Sequence, residues 1–235
     1  LEIKKPSAIR RNVSFCEAVY DGKKEVEGVS CYLAKDIEEA KKFLSGKKLT
    51  MLVDENLACL KEFKPAALVD AILAKKNLGT KIDMAPVTIA LGPGFEAGKD
   101  VDVVIETMRG HKLGRTIYEG FAIPNTNVPG VIAGFSKERV IHSPAEGTMK
   151  NVKKVTDTVK KGEIISYIDD TPVYATIDGL LRGLLRDGYK VTKGFKIADI
   201  DPRINEYENC FTISDKARCI AGGVLEAILH SEMEK

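Results

Sequence analysis

The chain has 235 residues, enough for one large domain or two smaller ones whose cores need no disulfide or metal staple. Hydrophobic residues make up 44% and charged residues 30%, an ordinary globular composition. With 36 basic and 34 acidic side chains the net charge is +2, which removes the electrostatic case for nucleic acid or an anionic membrane as the main partner.

The five cysteines (Cys16, Cys31, Cys59, Cys210, Cys219) are scattered and form no C-x-x-C pair, so they read as reduced thiols of a cytoplasmic protein. His111, His142 and His230 share no ligand-like spacing, and no metal site is expected. No apolar run has the length to cross a bilayer. The cations Lys4, Lys5, Arg10 and Arg11 are not followed by the apolar stretch of a signal peptide.

Taken in chain order, Leu1-Glu2-Ile3 is strand-like and residues 26–33 read as a strand. Asp36 then stands where a helix N-cap belongs, with Glu39 completing a capping-box pattern. Ile37, Ala40, Phe43 and Leu44 share a helical face that stops at Ser45-Gly46. Residues 49–54 read as a strand ending in an acid, 55–63 as a second helix, and 66–73 and 87–91 as further buried strands. Apolar strands alternating with amphipathic helices predict an α/β domain with a Rossmann-like parallel sheet over residues 1–137. Ligands of such sheets bind beyond the carboxyl ends of the strands, where Asp54, Asp70 and the Gly92-Pro93-Gly94 loop fall.

The second half repeats itself at a constant offset of 32 residues. Gly147 matches Gly179, Val159 Val191, Lys161 Lys193, Gly162 Gly194, Ile165 Ile197, Ile168 Ile200 and Asp169 Asp201. A fixed period without gaps is an architectural signal. Each copy reads as glycine, strand, polar turn, then Val-x-Lys-Gly and a strand ending in Ile-Asp. This resembles the duplicated barrel-sandwich hybrid of biotinyl and lipoyl carriers and predicts such an all-β module over residues 138–205. The joining segment Asp170-Thr171-Pro172-Val173-Tyr174 lacks the lysine those carriers modify. Residues 206–235 form a closing segment, with Ser214 as N-cap of a helix returning to the first domain. Ala217, Ile220, Ala221, Val224, Leu225 and Ile228 are its expected inner side. Gly222-Gly223 inside it implies close packing.

Several groups carry chemical potential. The loop holding Gly92 and Gly94 can present backbone N–H groups to an anion, although it matches neither a Walker motif nor the dinucleotide fingerprint. Glu106, Arg109, His111 and Arg115 bring together a carboxylate, guanidinium groups suited to phosphate or carboxylate, and an imidazole for proton transfer. Arg10 and Arg11 precede Ser14, Cys16 and Glu17, and Lys75 and Asn77 follow the Asp70 strand. Gly92, Gly94, Arg109, Arg115, Arg10, Arg11, Lys75 and Asn77 are thus candidate cofactor-binding residues, and Cys16 and His111 candidate catalytic ones. Each also has a plain structural reading, as turn glycine, solvated ion pair or buried thiol.

The stretches PSAIRRNVSFCEAVYDG, VDAILAKKNLGT, ALGPGF, VIETMRGHKLGR, IPNTNVPG, IADIDPR and ISDKARCIAGGVLEAI together resemble the YqeB family of selenium-dependent molybdenum hydroxylase system proteins. The resemblance implies an accessory role in maturing a molybdenum hydroxylase, with that enzyme or its cofactor as partner. It also implies a preceding strand and glycine-rich turn, which this chain lacks. Leu1-Glu2-Ile3 would then be the second strand, with Glu2 at the ribose position of an NAD(P) or other nucleotide site. The expectation is a cytoplasmic accessory protein, homo-oligomerisation included, that binds a nucleotide, cofactor or client. The alternative is an enzyme, either an NAD(P)-linked oxidoreductase or a sulfur/selenium transferase using Cys16.

Overall fold

A computed structural model describes residues 1–233, which divide into two units. One comprises Leu1–Leu57 with Pro129–Ile213, the other Ala58–Val128 with the chain from Ser214 onward.

In the first unit a one-turn helix α1 (Ala18–Asp21) leads to β1 (Lys23–Val26) and β2 (Val29–Ala34). The expected strand over 26–33 is therefore the second half of a hairpin. Its turn residues Glu27 and Gly28 both take positive φ, the geometry that matches the twist of the flanking strands. Helix α2 (Ile37–Ser45) is capped as its sequence predicts: the Asp36 carboxylate accepts the Glu39 N–H at 2.8 Å. The Glu39 carboxylate accepts from the Lys35 N–H rather than from that of Asp36, so the box closes one residue early. Strand β3 (Leu49–Leu52) runs parallel to β2, and Glu2 makes one parallel bridge to Val53 beside it.

The second unit opens with α3, a single turn over Leu60–Phe63 where a longer helix was expected. Strands β4 (Leu68–Asp70), β5 (Thr88–Leu91), β6 (Glu96–Ala97), β7 (Val103–Ile105), β8 (Thr116–Ile117) and β9 (Gly120–Phe121) follow. The sheet order is β4-β5-β7-β8, parallel through β7, with β8 antiparallel and β6 pairing β9 separately.

Returning to the first unit, the repeat region begins after β10 (Val140–His142). The first copy supplies β11 (Gly147–Asn151), β12 (Thr158–Val159) and β13 (Ile164–Ile168), followed by β14 (Thr171–Tyr174). The second supplies β15 (Gly179–Leu184), β16 (Lys190–Val191) and β17 (Lys196–Asp201). Two four-stranded antiparallel sheets result, β10-β17-β15-β12 and β14-β13-β11-β16. Each copy donates its short strand to the other copy's sheet. The matched apolar residues Val159, Val191, Ile165, Ile197, Ile168 and Ile200 are all buried in one core. The matched turn glycines behave alike, with φ near +84° at Gly162 and +82° at Gly194.

Helix α4 (Asp215–Met233) belongs to the second unit. The Ser214 hydroxyl accepts the Ala217 N–H at 3.3 Å. Ile220, Gly223 and Ala227 are buried, with Val224 and Ile228 partly so, a spacing of three and four that defines one helical face. Ala217, Ala221 and Leu225, expected inside, are exposed. The helix packs on Ile89, Val103 and Ile105, while Ala90, Phe95, Ala97, Val101, Val104 and Ala122 form a core on the opposite side of the strands.

The fold is thus mixed α/β, with the described strands in five small sheets and few helices. This corrects the expected pairing of a Rossmann-like domain with a barrel-sandwich-hybrid module. Among the described residues, parallel pairing between strands is confined to β2–β3 and β4–β5–β7, in separate sheets of separate units, with isolated parallel bridges at Glu2–Val53 and Ala97–Val101. A doubly wound sheet needs a continuous parallel set with helices on both faces. Here the path from β4 to β5 holds only a 3-10 turn at Ile82–Met84, and the long covering helix comes from the far end of the chain. The Rossmann frame on which the expected NAD(P) site was placed is therefore not the arrangement of the described residues. The Glu2 carboxylate folds back onto the Ile3 N–H. Nor are the repeats a self-contained module: Ile9 packs into their core, its carbonyl accepts the Leu184 N–H at 2.8 Å, and Cys210 is buried among them.

Candidate functional site in the parallel unit and a buried arginine layer

The carboxyl ends of β4, β5 and β7 lie side by side, so the residues that follow each strand share one edge. Asp70 ends β4 and is buried, accepting the Ile72 N–H and, at 2.6 Å, the Thr80 hydroxyl. Asn77 closes the same loop, its side chain accepting from Gly79 and Thr80 and donating to the Thr80 carbonyl. Its amide is occupied by the turn.

After β5, Gly92 and Gly94 have φ of +78° and +111°. A Cβ on Gly92 would lie 2.5 Å from Thr107 Oγ1, and one on Gly94 would lie 2.6 Å from the Lys76 backbone. Their small size therefore seats the loop between the segments that follow β4 and β7. After β7, buried Glu106 accepts the Met108 and Ile123 N–H groups and so fixes the path to Arg109. Arg109 forks both oxygens of Asp215 at 2.7 and 3.1 Å at the start of α4, and that hydrogen bonding raises the Arg109 pKa. Lys216 follows. Burial, then the charges of Lys75 and Arg109, depress its pKa. Three cations, Lys75, Arg109 and Lys216, thus lie near the strand ends together with the carboxylates of Glu106 and Asp215.

Of the sequence candidates, Gly92, Gly94, Lys75, Asn77 and Arg109 share this edge. Lys216 was missed, since its sequence signal, a lysine one residue past a helix start, says nothing until the docking of α4 is known. His111 and Arg115 are exposed in the loop after Arg109, where the Arg115 carbonyl accepts the Glu106 N–H.

Arg10 and Arg11 lie in the other unit. Arg11 Nε donates to the Leu184 carbonyl at 2.9 Å, a backbone tie. Arg10 enters a charged layer over β10, β17 and β15, donating to the Asn209 carbonyl at 2.8 Å. Arg139 pairs with Asp199 at 3.2 Å, Arg182 with Asp201 at 3.5 Å, and Arg203 forks Asp201 at 2.8 and 2.9 Å. Burial raises the Asp199 pKa against the pull of Arg139, Lys196, Arg182 and Arg10. Burial also opposes ionisation of Asp201, but hydrogen bonds and charge from Arg203, with Arg182, carry it below the usual range. Arg139 and Arg182 were not anticipated: one precedes the first repeat copy and the other sits at a register shift in β15.

Cys16 is partly buried beside Glu2 and Glu17. Burial first, then those carboxylates, push its thiol up to about 12, so almost no thiolate exists at neutral pH. Among the described residues no His, Cys, Asp or Glu group is arranged to hold a metal, and no helix is long and apolar enough to cross a membrane.

The fold is that of a two-unit mixed α/β protein, with one cluster of charged side chains in each unit. The chain is homologous to the uncharacterized protein YqeB of Escherichia coli (strain K12), with 52% identity over 229 residues, 97% of this chain. It spans only 42% of that relative's length. No family model matches. Among solved structures, local likeness is found to a succinylglutamate desuccinylase/aspartoacylase from Rhodobacter sphaeroides (22% identity, 27% of this chain and 22% of the other, TM-score 0.23). The ectoine utilization protein EutE from Ruegeria pomeroyi is similar at 17% identity over 36% of this chain and 27% of that one, TM-score 0.25. An aspartoacylase family protein from Mesorhizobium loti is similar at 12% identity over 35% and 27%, TM-score 0.26. Likenesses of this size establish neither a shared whole fold nor a shared activity.

Proposed function

We propose that the chain forms part of an accessory protein in the maturation of a selenium-dependent molybdenum hydroxylase. In this reading the unit built from Ala58–Val128 and α4 holds a phosphate-bearing nucleotide or cofactor. The pathway rests on the family resemblance. The ligand class rests on one observation: Lys75, Arg109 and Lys216 lie with the Gly92–Gly94 loop near the ends of three parallel strands. Cations suit a phosphate group, and loops beyond parallel strand ends are where α/β sheets place their ligands. The competing transferase reading needs a nucleophilic Cys16, and the partly buried, carboxylate-flanked thiol speaks against it.

Calorimetric titration with a panel of phosphate-bearing nucleotides tests the site. The expected result is saturable binding that weakens at least tenfold in Lys216→Ala and in Arg109→Ala. Unchanged affinity in both variants would reject the site. Unaltered hydroxylase activity and selenium content after deletion of the gene would reject the pathway.

A further inference from the structure

The charged layer of the other unit is unbalanced in a way that its own residues do not resolve. Arg10, Arg139, Arg182 and Arg203 bring four guanidinium groups to two carboxylates, Asp199 and Asp201, with Lys196 also near Asp199. Glu206 approaches Arg203 only at 3.8 Å and at an exposed position. Asp201 is fully buried, and the side chains of Arg139 and Arg182 are only 8% and 11% exposed, so solvent does little to offset the excess. The charge of Arg182 acts on Arg10 strongly enough to oppose its protonation after burial has done so.

Three buried side-chain donors in this layer have no acceptor in the protein: Nε of Arg10, of Arg139 and of Arg182. Buried polar groups are normally paired, and a charged donor left unpaired is the costliest kind. All three are guanidinium nitrogens, and the charges of their three arginines all act on Asp199. The Nε–H and an Nη–H of arginine form a planar fork that fits two oxygens of one anion.

We propose that this layer binds one phosphate dianion, free or as the terminal group of a small molecule, through Arg10, Arg139 and Arg182. A layer in which arginines outnumber carboxylates matches an anion. The segment around Arg10 and the stretch from Arg203 to Thr212 frame the layer from outside the sheet, since Arg10 spans to the Asn209 and Thr212 carbonyls. This site is distinct from the one of the previous subsection and does not depend on it.

The test is titration of the full chain with inorganic phosphate and with glycerol 3-phosphate at constant ionic strength, against chloride. Binding is followed by thermal shift and by broadening of the phosphorus resonance. To separate the two sites, the titrations are run in the Arg109→Ala/Lys216→Ala background. There, saturable binding persists, and adding Arg182→Met or Arg10→Met weakens it at least tenfold. Binding of inorganic phosphate alone assigns a free anion, and binding of both assigns a terminal phosphate group. Absence of phosphate-specific binding in that background, or equal binding after Arg182→Met and Arg10→Met, overturns the proposal. Should Arg182→Met fail to fold, Arg10→Met decides, because Arg10 forms no ion pair with Asp199 or Asp201.

Discussion

Gly222 and Gly223 are neighbours in α4 with opposite surroundings. A Cβ on Gly222 would meet nothing within 4 Å, whereas one on Gly223 would lie 2.1 Å from the Gly114 carbonyl oxygen and 3.0 Å from Ile105. Gly114 answers in kind, since its own Cβ would lie 2.5 Å from the Cys219 carbonyl. Helix and loop therefore meet backbone to backbone, as a paired glycine in a helix suggests. Gly222→Ala should stabilise the protein by up to ~1 kcal/mol, the helix propensity gained. Gly223→Ala should instead cost about 1–3 kcal/mol, because overpacking exceeds that gain. Urea denaturation of both variants checks the pair, and equal effects would contradict the docking described. The same scale explains what the sequence hid. Arg109 and the glycine loop stood out because their residue types are chemically conspicuous in a short window. Lys216, Arg139 and Arg182 gain meaning only once the fold brings them to charged groups outside their own short window.

At the scale of elements, the two repeat copies test each other. Gly147 and Gly179 occupy equivalent positions with φ of +154° and +159°, and a Cβ at Gly147 would strike the side chains of Asp169 and Ile168, one at Gly179 the Asp201 backbone carbonyl. Side chains can shift at the cost of the Thr148 N–H to Asp169 hydrogen bond, whereas a carbonyl in the β15–β17 ladder cannot. Both substitutions also strain the backbone, so Gly147→Ala is expected to lower stability by about 2 kcal/mol and Gly179→Ala by about 3 or more. Chemical denaturation reads both, and the reverse order would refute the distinction. The duplication was legible because matched glycines and β-branched residues recur at a fixed interval. The exchange of β12 and β16 between sheets was not, since strand partners are set by nonlocal packing that a local pattern does not encode. Short apolar runs misled in the same way. Runs such as the one before Gly92 look alike in a doubly wound sheet and in a four-stranded mixed one. Helix α2 was legible because its cap and its apolar face lie within ten residues.

On the scale of the whole chain, sequence segments and folding units do not coincide. Residues 138–205 hold all the repeat symmetry, yet part of what stabilises them comes from the first fifty residues. Arg186 is held by Glu17 at 2.8 Å and Asp21 at 2.6 Å, and its guanidinium lies 4.5 Å from the Tyr20 ring centre. The Tyr189 hydroxyl donates to the Lys5 carbonyl, and Ile9 fills the core beside Gly183. Cutting these away exposes apolar surface in a piece already small enough that burial barely exceeds the entropy of ordering it. An isolated fragment of residues 138–205 should therefore unfold without a cooperative transition. Residues 1–57 joined by a flexible linker to 129–213 should unfold in one sigmoidal step. Denaturant curves read by circular dichroism distinguish the two, and a cooperative transition in the shorter fragment would mean that the repeats need none of these contacts. The direction follows from where the ties are made: the first segment supplies both carboxylates that hold Arg186, so the β sheets lose the partners of a half-buried cation as well as hydrophobic cover.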